Sequence, residues 1–172
     1  KYCLHLEFDP SVETYFPQPH TFKVVIGDDE YTYTPDFEVR YFSGARKYVE
    51  VKPLERSQSI HYQHLFSGFE ASLADTDAGF LLVDETEIYQ QPLLSNYEKL
   101  YQYRKRPSLD MRNLHQCAEG LSLSMPLARL VTKLGDKAHL REIYTWLALG
   151  YLRFDLNSGH LTMMTEVRFD VC

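Results

Sequence analysis

The spacing of apolar side chains changes character at Pro107, so a single regular architecture does not serve both halves of the chain. Before Pro107, short β-forming segments alternate with turn signals. Residues 21–26 and 31–34 flank Gly27-Asp28-Asp29, and residues 37–42 and 47–52 flank Ser43-Gly44-Ala45-Arg46, a hairpin signature. Residues 1–8 fit a helix stopped by Asp9-Pro10, and residues 54–73 fit another with Leu65, Phe69 and Leu73 on one stripe. Residues 80–83 form a short apolar run after Gly79, the mark of a buried strand, and a helix over 96–106 ends at Pro107.

After Pro107 the period is helical. Leu114, Cys117, Ala118 and Leu121 recur at i, i+3, i+4, i+7, as do Leu127, Leu130, Val131 and Leu134, and Leu140, Ile143, Tyr144 and Leu147. Gly120, Gly135 and Gly150 sit near the stripe ends, where helices stop. Residues 152–156 and 161–169 then alternate apolar with polar across Asn157-Ser158-Gly159. Three short helices and a β-hairpin are the layout of a winged helix. The expected organisation is an α+β domain over 1–106 and a small winged-helix-like domain over 107–172.

Composition narrows the class. Aromatics make up 14% of the 172 residues, too many for disorder over most of the length. No long uncharged apolar run and no basic-apolar leader is seen, so neither a membrane span nor secretion is expected. Cys3, Cys117 and Cys172 are scattered and read as reduced thiols. A formal charge of −6 counts against unaided DNA binding, since phosphate-binding proteins usually carry a basic excess. The one basic cluster, Lys99, Arg104, Lys105 and Arg106 with Tyr101 and Tyr103 between, fits a solvated helix end as well as a DNA contact.

Chemistry concentrates in Tyr33-Thr34-Pro35-Asp36-Phe37 and Tyr48-Val49-Glu50-Val51-Lys52-Pro53. Strand side chains alternate faces, so Glu50 and Lys52 project together while Val49 and Val51 enter a core. If Asp36 begins the partner strand, its carboxylate meets Glu50 at the open end of the sheet. Two converging carboxylates suit a hard divalent cation such as Mg2+. Such a cation aids phosphodiester hydrolysis, and Lys52 beside it can orient water or offset negative charge. Taken alone, Glu-Val-Lys is far more often a cross-strand charge pattern on an exposed strand than a site.

The combination resembles the Pro-Asp…(Asp/Glu)-X-Lys nucleases of restriction-endonuclease-like fold. With the flanking Leu6-Glu7-Phe8-Asp9-Pro10-Ser11-Val12, Tyr15 and Gln18-Pro19, it resembles the TnsA-type endonuclease subunits of heteromeric transposases, as found in CRISPR-associated transposons. The resemblance covers most of the first hundred residues. It implies a mixed sheet flanked by helices, with Asp36 and Glu50 as Mg2+ ligands (Mn2+ able to substitute) and Lys52 as a catalytic residue. It further implies cleavage at the 5′ ends of a transposon in the bacterial cytoplasm, beside a TnsB-type transposase and a TnsC-type ATPase, with DNA as the substrate and neither membrane nor small molecule involved. The family also carries an acid on the first helix about two turns before Glu7, a place just before Lys1; Glu7 itself is expected to steady the turn at Asp9-Pro10. The alternatives are another restriction-type nuclease and a non-catalytic assembly module. His61 and His64 are expected to be solvated or to stand behind the site without ligating, Trp146 to be core and Gln18-Pro19 to be a turn near the site.

Overall fold

Helix α1 (Tyr2–Phe8) opens a computed structural model that describes residues 1–121 and 123–170. Cys172 therefore lies outside the described residues. The chain divides into two compact units, Lys1–Tyr89 and Gln90–Cys172.

In the first unit, β1 (Val12–Pro17) is followed by the hairpin β2 (Phe22–Ile26) and β3 (Asp29–Tyr33), closed by a two-residue turn in which Gly27 takes φ +63°. Strands β4 (Phe37–Tyr41) and β5 (Arg46–Val51) follow, then α2 (Leu54–Ser57), α3 (Ile60–Ser72), β6 (Ala78–Val83) and α4 (Glu85–Ile88). The main sheet has the order β1-β4-β5-β6 and is mixed: β4 runs antiparallel to β1 and β5, while β6 runs parallel to β5. Both faces are covered. Val24 and Tyr33 of the hairpin and Leu65, Phe66, Phe69 and Leu73 of the α3 segment pack with Tyr48 on one. Leu6 and Ile88 pack with Val39, Val49 and Val83 on the other.

The second unit holds α5 (Leu93–Lys105), α6 (Met111–Ala118), β7 (Met125–Pro126), α7 (Leu127–Leu134), α8 (Leu140–Leu149), β8 (Leu152–Arg153) and β9 (Glu166–Phe169). The three short strands pair in the order β7-β9-β8, with β9 antiparallel to both. Leu114, Leu127, Leu130, Ile143, Trp146, Leu152 and Val167 are fully buried in its core. The chain is thus α+β, with a mixed sheet flanked by helices. Among the described residues, no helix is long and apolar enough to cross a membrane.

Several elements depart from the sequence reading. The helix expected over 54–73 is broken at Gln58-Ser59, because the Ser59 hydroxyl accepts from the Tyr62 amide and starts a new helix. Strand β1 has no counterpart in the sequence reading; Val12-Glu13-Thr14-Tyr15-Phe16-Pro17 lacks a clean apolar–polar alternation and ends in Pro. The tail strands are shorter than the alternation in 152–169 implied, and β7 replaces part of the expected hairpin pairing. The unit boundary falls at Tyr89, not at 106. Helix α5 belongs with the tail because it packs on α8 and buries Leu94, Asn96, Tyr97 and Leu100. Pro107 ends that helix without ending the unit.

Candidate active site

The register of the β4–β5 hairpin fixes the site. Phe37 pairs with Val49, Glu38 with Tyr48, Val39 with Lys47 and Arg40 with Arg46, so Asp36 lies in line with Glu50 one step further on. Gly44 at φ +85° makes the tight turn that sets this register, with Gly44 N–H donating to Tyr41 C=O. At the opposite end, the Asp36 Oδ2 accepts from Val51 N–H at 2.8 Å, taking over where the strand ladder stops. Lys52 N–H donates to Val83 C=O at 3.0 Å, carrying the β5–β6 pairing one residue past β5 before Pro53 halts it.

Glu50 is 4% exposed, which sets it apart from a solvated cross-strand charge. A carboxylate this deep needs partners, and it has one on each oxygen. The Tyr33 hydroxyl donates to Oε2 at 2.9 Å, and the Lys52 ammonium lies 2.7 Å from Oε1. Tyr33 is itself held by Phe66 and Phe69, with ring centroids at 6.2 and 4.6 Å. The Lys52 Nζ also sits 4.7 Å from the centre of the Tyr62 ring on α3.

The electrostatics follow from this packing. Burial first, and then the charge and hydrogen bond of Glu50, push the Tyr33 phenol far above its ordinary range; Asp36 adds to the shift. Burial pulls the Lys52 ammonium down, but the hydrogen bond and charge of Glu50, with smaller contributions from Tyr62 and Asp36, leave it above the usual lysine value. Asp36 thus acts on the same two groups that touch Glu50. The three residues singled out from sequence come together at one end of the sheet, and Tyr33 joins them as a fourth.

A cavity of about 430 Å³ opens beside this end. Asp36 and Lys52 line it with Glu85, Ile88 and the first turn of α1, whereas Glu50 does not line it. Glu85 also accepts from the Leu54 amide at 2.7 Å, capping α2. The second oxygen of Asp36, Oδ1, has no hydrogen-bond partner among the described residues. Among those residues, no three His, Cys, Asp or Glu side chains gather into a metal-binding group.

Sequence reasoning missed Tyr33, Tyr62 and Glu85. Tyr33 flanks Pro35-Asp36, yet nothing in its spacing ties it to Glu50, seventeen residues later. Glu7 was expected at the Asp9-Pro10 turn; its Oε1 instead accepts from the Tyr15 hydroxyl at 3.0 Å, and Asp9 bonds Ser11 by itself. Gln18 is the one non-glycine residue among those described with positive φ, +45°, and its N–H donates to the Asp36 carbonyl at 2.8 Å. The Gln18-Pro19 turn therefore anchors the backbone of a site residue. His61 and His64 are exposed on α3, as expected. Of the basic cluster, Lys99 donates to Leu161 C=O at 2.7 Å and Arg104 to Ala148 C=O at 3.2 Å, within the second unit. These two cations serve packing, while Lys105 and Arg106 remain exposed.

No protein-family model matches this chain, and no curated protein is significantly similar to it.

Proposed function

We propose that this chain is a Mg2+-dependent DNA endonuclease of restriction-endonuclease-like fold, the subunit that cuts the 5′ ends of a transposon in a heteromeric transposase. The reading rests on one observation: Asp36, Glu50 and Lys52 meet at the end of β5, with Asp36 and Lys52 lining a cavity. The donor set fits the metal. Asp36 and Glu50 are an all-oxygen pair of the kind that holds Mg2+ together with waters and phosphate oxygens, with Glu50 Oε1 at present paired to the Lys52 ammonium. When bound, Mg2+ neutralises charge on the phosphoryl group and lowers the pKa of a bound water. The protein's own residues do the rest. Tyr33 fixes the orientation of the Glu50 carboxylate, the Val51 amide fixes that of Asp36, and the Lys52 ammonium offsets negative charge on the attacked phosphate. A TnsB-type partner would cut and join the 3′ ends, and a TnsC-type ATPase would contact the carboxy-terminal part.

The second unit fits a winged helix in its order of elements: α6, β7, α7, α8, β8, β9. Its third helix, α8, buries six consecutive residues, Ile143 to Ala148, and α5 packs against it. Helix α8 is thus a core helix rather than one free to enter a DNA groove, which favours a protein-binding role for this unit.

Asp36→Ala tests the assignment. In a reaction reconstituted with the partner subunits, 5′-end nicking is expected to fall by at least about a hundredfold while 3′-end cutting continues. Nicking at the wild-type rate would falsify the reading. The rival, an inert assembly module, is favoured by the acidity of the first unit and forecasts no divalent-metal binding that depends on Asp36.

A further inference from the structure

Lys52 stands between the cavity and Glu50. The cavity wall includes Lys52 and Asp36 but not Glu50, and the Glu50 side chain is 5% exposed against 21% for Lys52. Both Glu50 oxygens are engaged, but unequally. Oε2 is held by Tyr33, a rigid ring packed against Phe66 and Phe69, whereas Oε1 is held by an ammonium on a flexible four-carbon stem. Only the second contact can yield without disturbing the core. The ammonium already rests 4.7 Å from the centre of the Tyr62 ring, and Lys52 lines the cavity, so the side chain has open space beside it. Asp36, by contrast, faces the cavity with one oxygen uncommitted.

We infer that the Lys52 ammonium is the resident counter-ion of Glu50 and that a divalent cation reaches this carboxylate by displacing it. Loading the site and releasing the lysine are then one event. Asp36 and Glu50 would hold the cation, and the Lys52 ammonium, no longer paired with Oε1, would be free on the cavity side to offset the charge of a phosphate. The positive charge that offsets the scissile phosphate is delivered only when the metal is in place. An unloaded site keeps its lysine folded back onto Glu50. The inference rests on the metal-centre reading above and assigns Lys52 a second task beyond it.

Two measurements on the full chain test it, neither of them reading activity. The first is the rate of reductive methylation of Lys52 in the unaltered protein, followed by peptide mass spectrometry with and without saturating Mn2+. Release from Glu50 is expected to speed labelling severalfold, while a rate unchanged by Mn2+ overturns displacement. The second is calorimetric titration with Mn2+ of the wild type, Lys52→Met and Lys52→Gln. Removing the competing ammonium is expected to tighten Mn2+ binding about tenfold in whichever of the two variants folds. Equal or weaker binding, with Asp36→Asn still abolishing it, removes the displacement step and leaves the metal centre standing. No Mn2+ binding to the wild type or to either variant removes both.

Discussion

At the residue scale, Tyr33 illustrates how a buried charge is kept. Among the described residues its hydroxyl is one of two partners for Glu50, and the other, Lys52, is a flexible chain. Replacing Tyr33 with Phe preserves the ring contacts with Phe66 and Phe69 but leaves Oε2 without a donor in a place closed to water. Leaving a buried acceptor unpaired costs about 1–3 kcal/mol, so urea unfolding near neutral pH is expected to show a loss of that size. The pH dependence gives a sharper check. The phenol's pKa is raised in the folded state by burial and Glu50, so its contribution is fully present below the ordinary tyrosine value of about 10 and is lost as pH rises beyond it. The stability gap between wild type and Tyr33→Phe should hold steady up to about pH 10 and narrow above it. A gap that vanished at neutral pH would mean the hydroxyl does nothing for Glu50.

At the element scale, the site depends on how closely α3 approaches the β2–β3 hairpin, because that contact carries Tyr33 to Glu50. Gly68 makes the approach possible. A methyl group there would lie 2.9 Å from the Val24 side chain and 3.3 Å from both the Ile26 side chain and the Val25 carbonyl. Alanine at an ordinary helix position would gain about 1 kcal/mol over glycine, but this crowding against a backbone oxygen works the other way. Overpacking of this kind costs about 1–3 kcal/mol, so Gly68→Ala is expected to lower the thermal midpoint and, by pushing the hairpin outward, to weaken Mn2+ binding as well. A raised midpoint would show that the hairpin moves freely over α3. The same contact explains what was legible in the sequence. Local signals carried the β4–β5 hairpin: the Ser43-Gly44 turn and the alternation of Tyr48-Val49-Glu50-Val51 set its register, and with it the meeting of Asp36, Glu50 and Lys52. The partners that arrive from other elements had no local signal. Tyr33, Tyr62 and Glu85 reach the site through the packing of a separate hairpin, a helix face and the start of α4. Helix α5 shows the same limit: Pro107 ends a helix whichever unit that helix packs against. Its Asn96, which donates to the Leu156 and Gly159 carbonyls and accepts from the Leu161 amide, ties it to the tail in a way no spacing rule reveals.

At the scale of the whole molecule, the formal charge of −6 conceals a division. Lys1–Tyr89 carries seven Lys and Arg against sixteen Asp and Glu, a formal −9; Gln90–Cys172 carries eleven against eight, a formal +3. The unit that bears Asp36 and Glu50 is therefore the one that repels phosphate most strongly. A bound divalent cation recovers only part of that charge, and two of the cations in the other unit, Lys99 and Arg104, donate to backbone carbonyls. DNA affinity driven by counterion release requires a cluster of cations to replace ions along the backbone, and the first unit has no such surplus. The chain alone is accordingly expected to bind duplex DNA more weakly than the roughly 10⁻⁴ M limit of ordinary non-specific binders at physiological salt, as measured by fluorescence anisotropy with Ca2+ in place of Mg2+ to prevent cutting. Addition of a DNA-bound transposase partner should then bring the chain onto the end sequence, with a salt dependence set by the partner. Micromolar binding by the isolated chain at 0.15 M salt would contradict this, and would place the DNA grip on the basic second unit rather than on a partner.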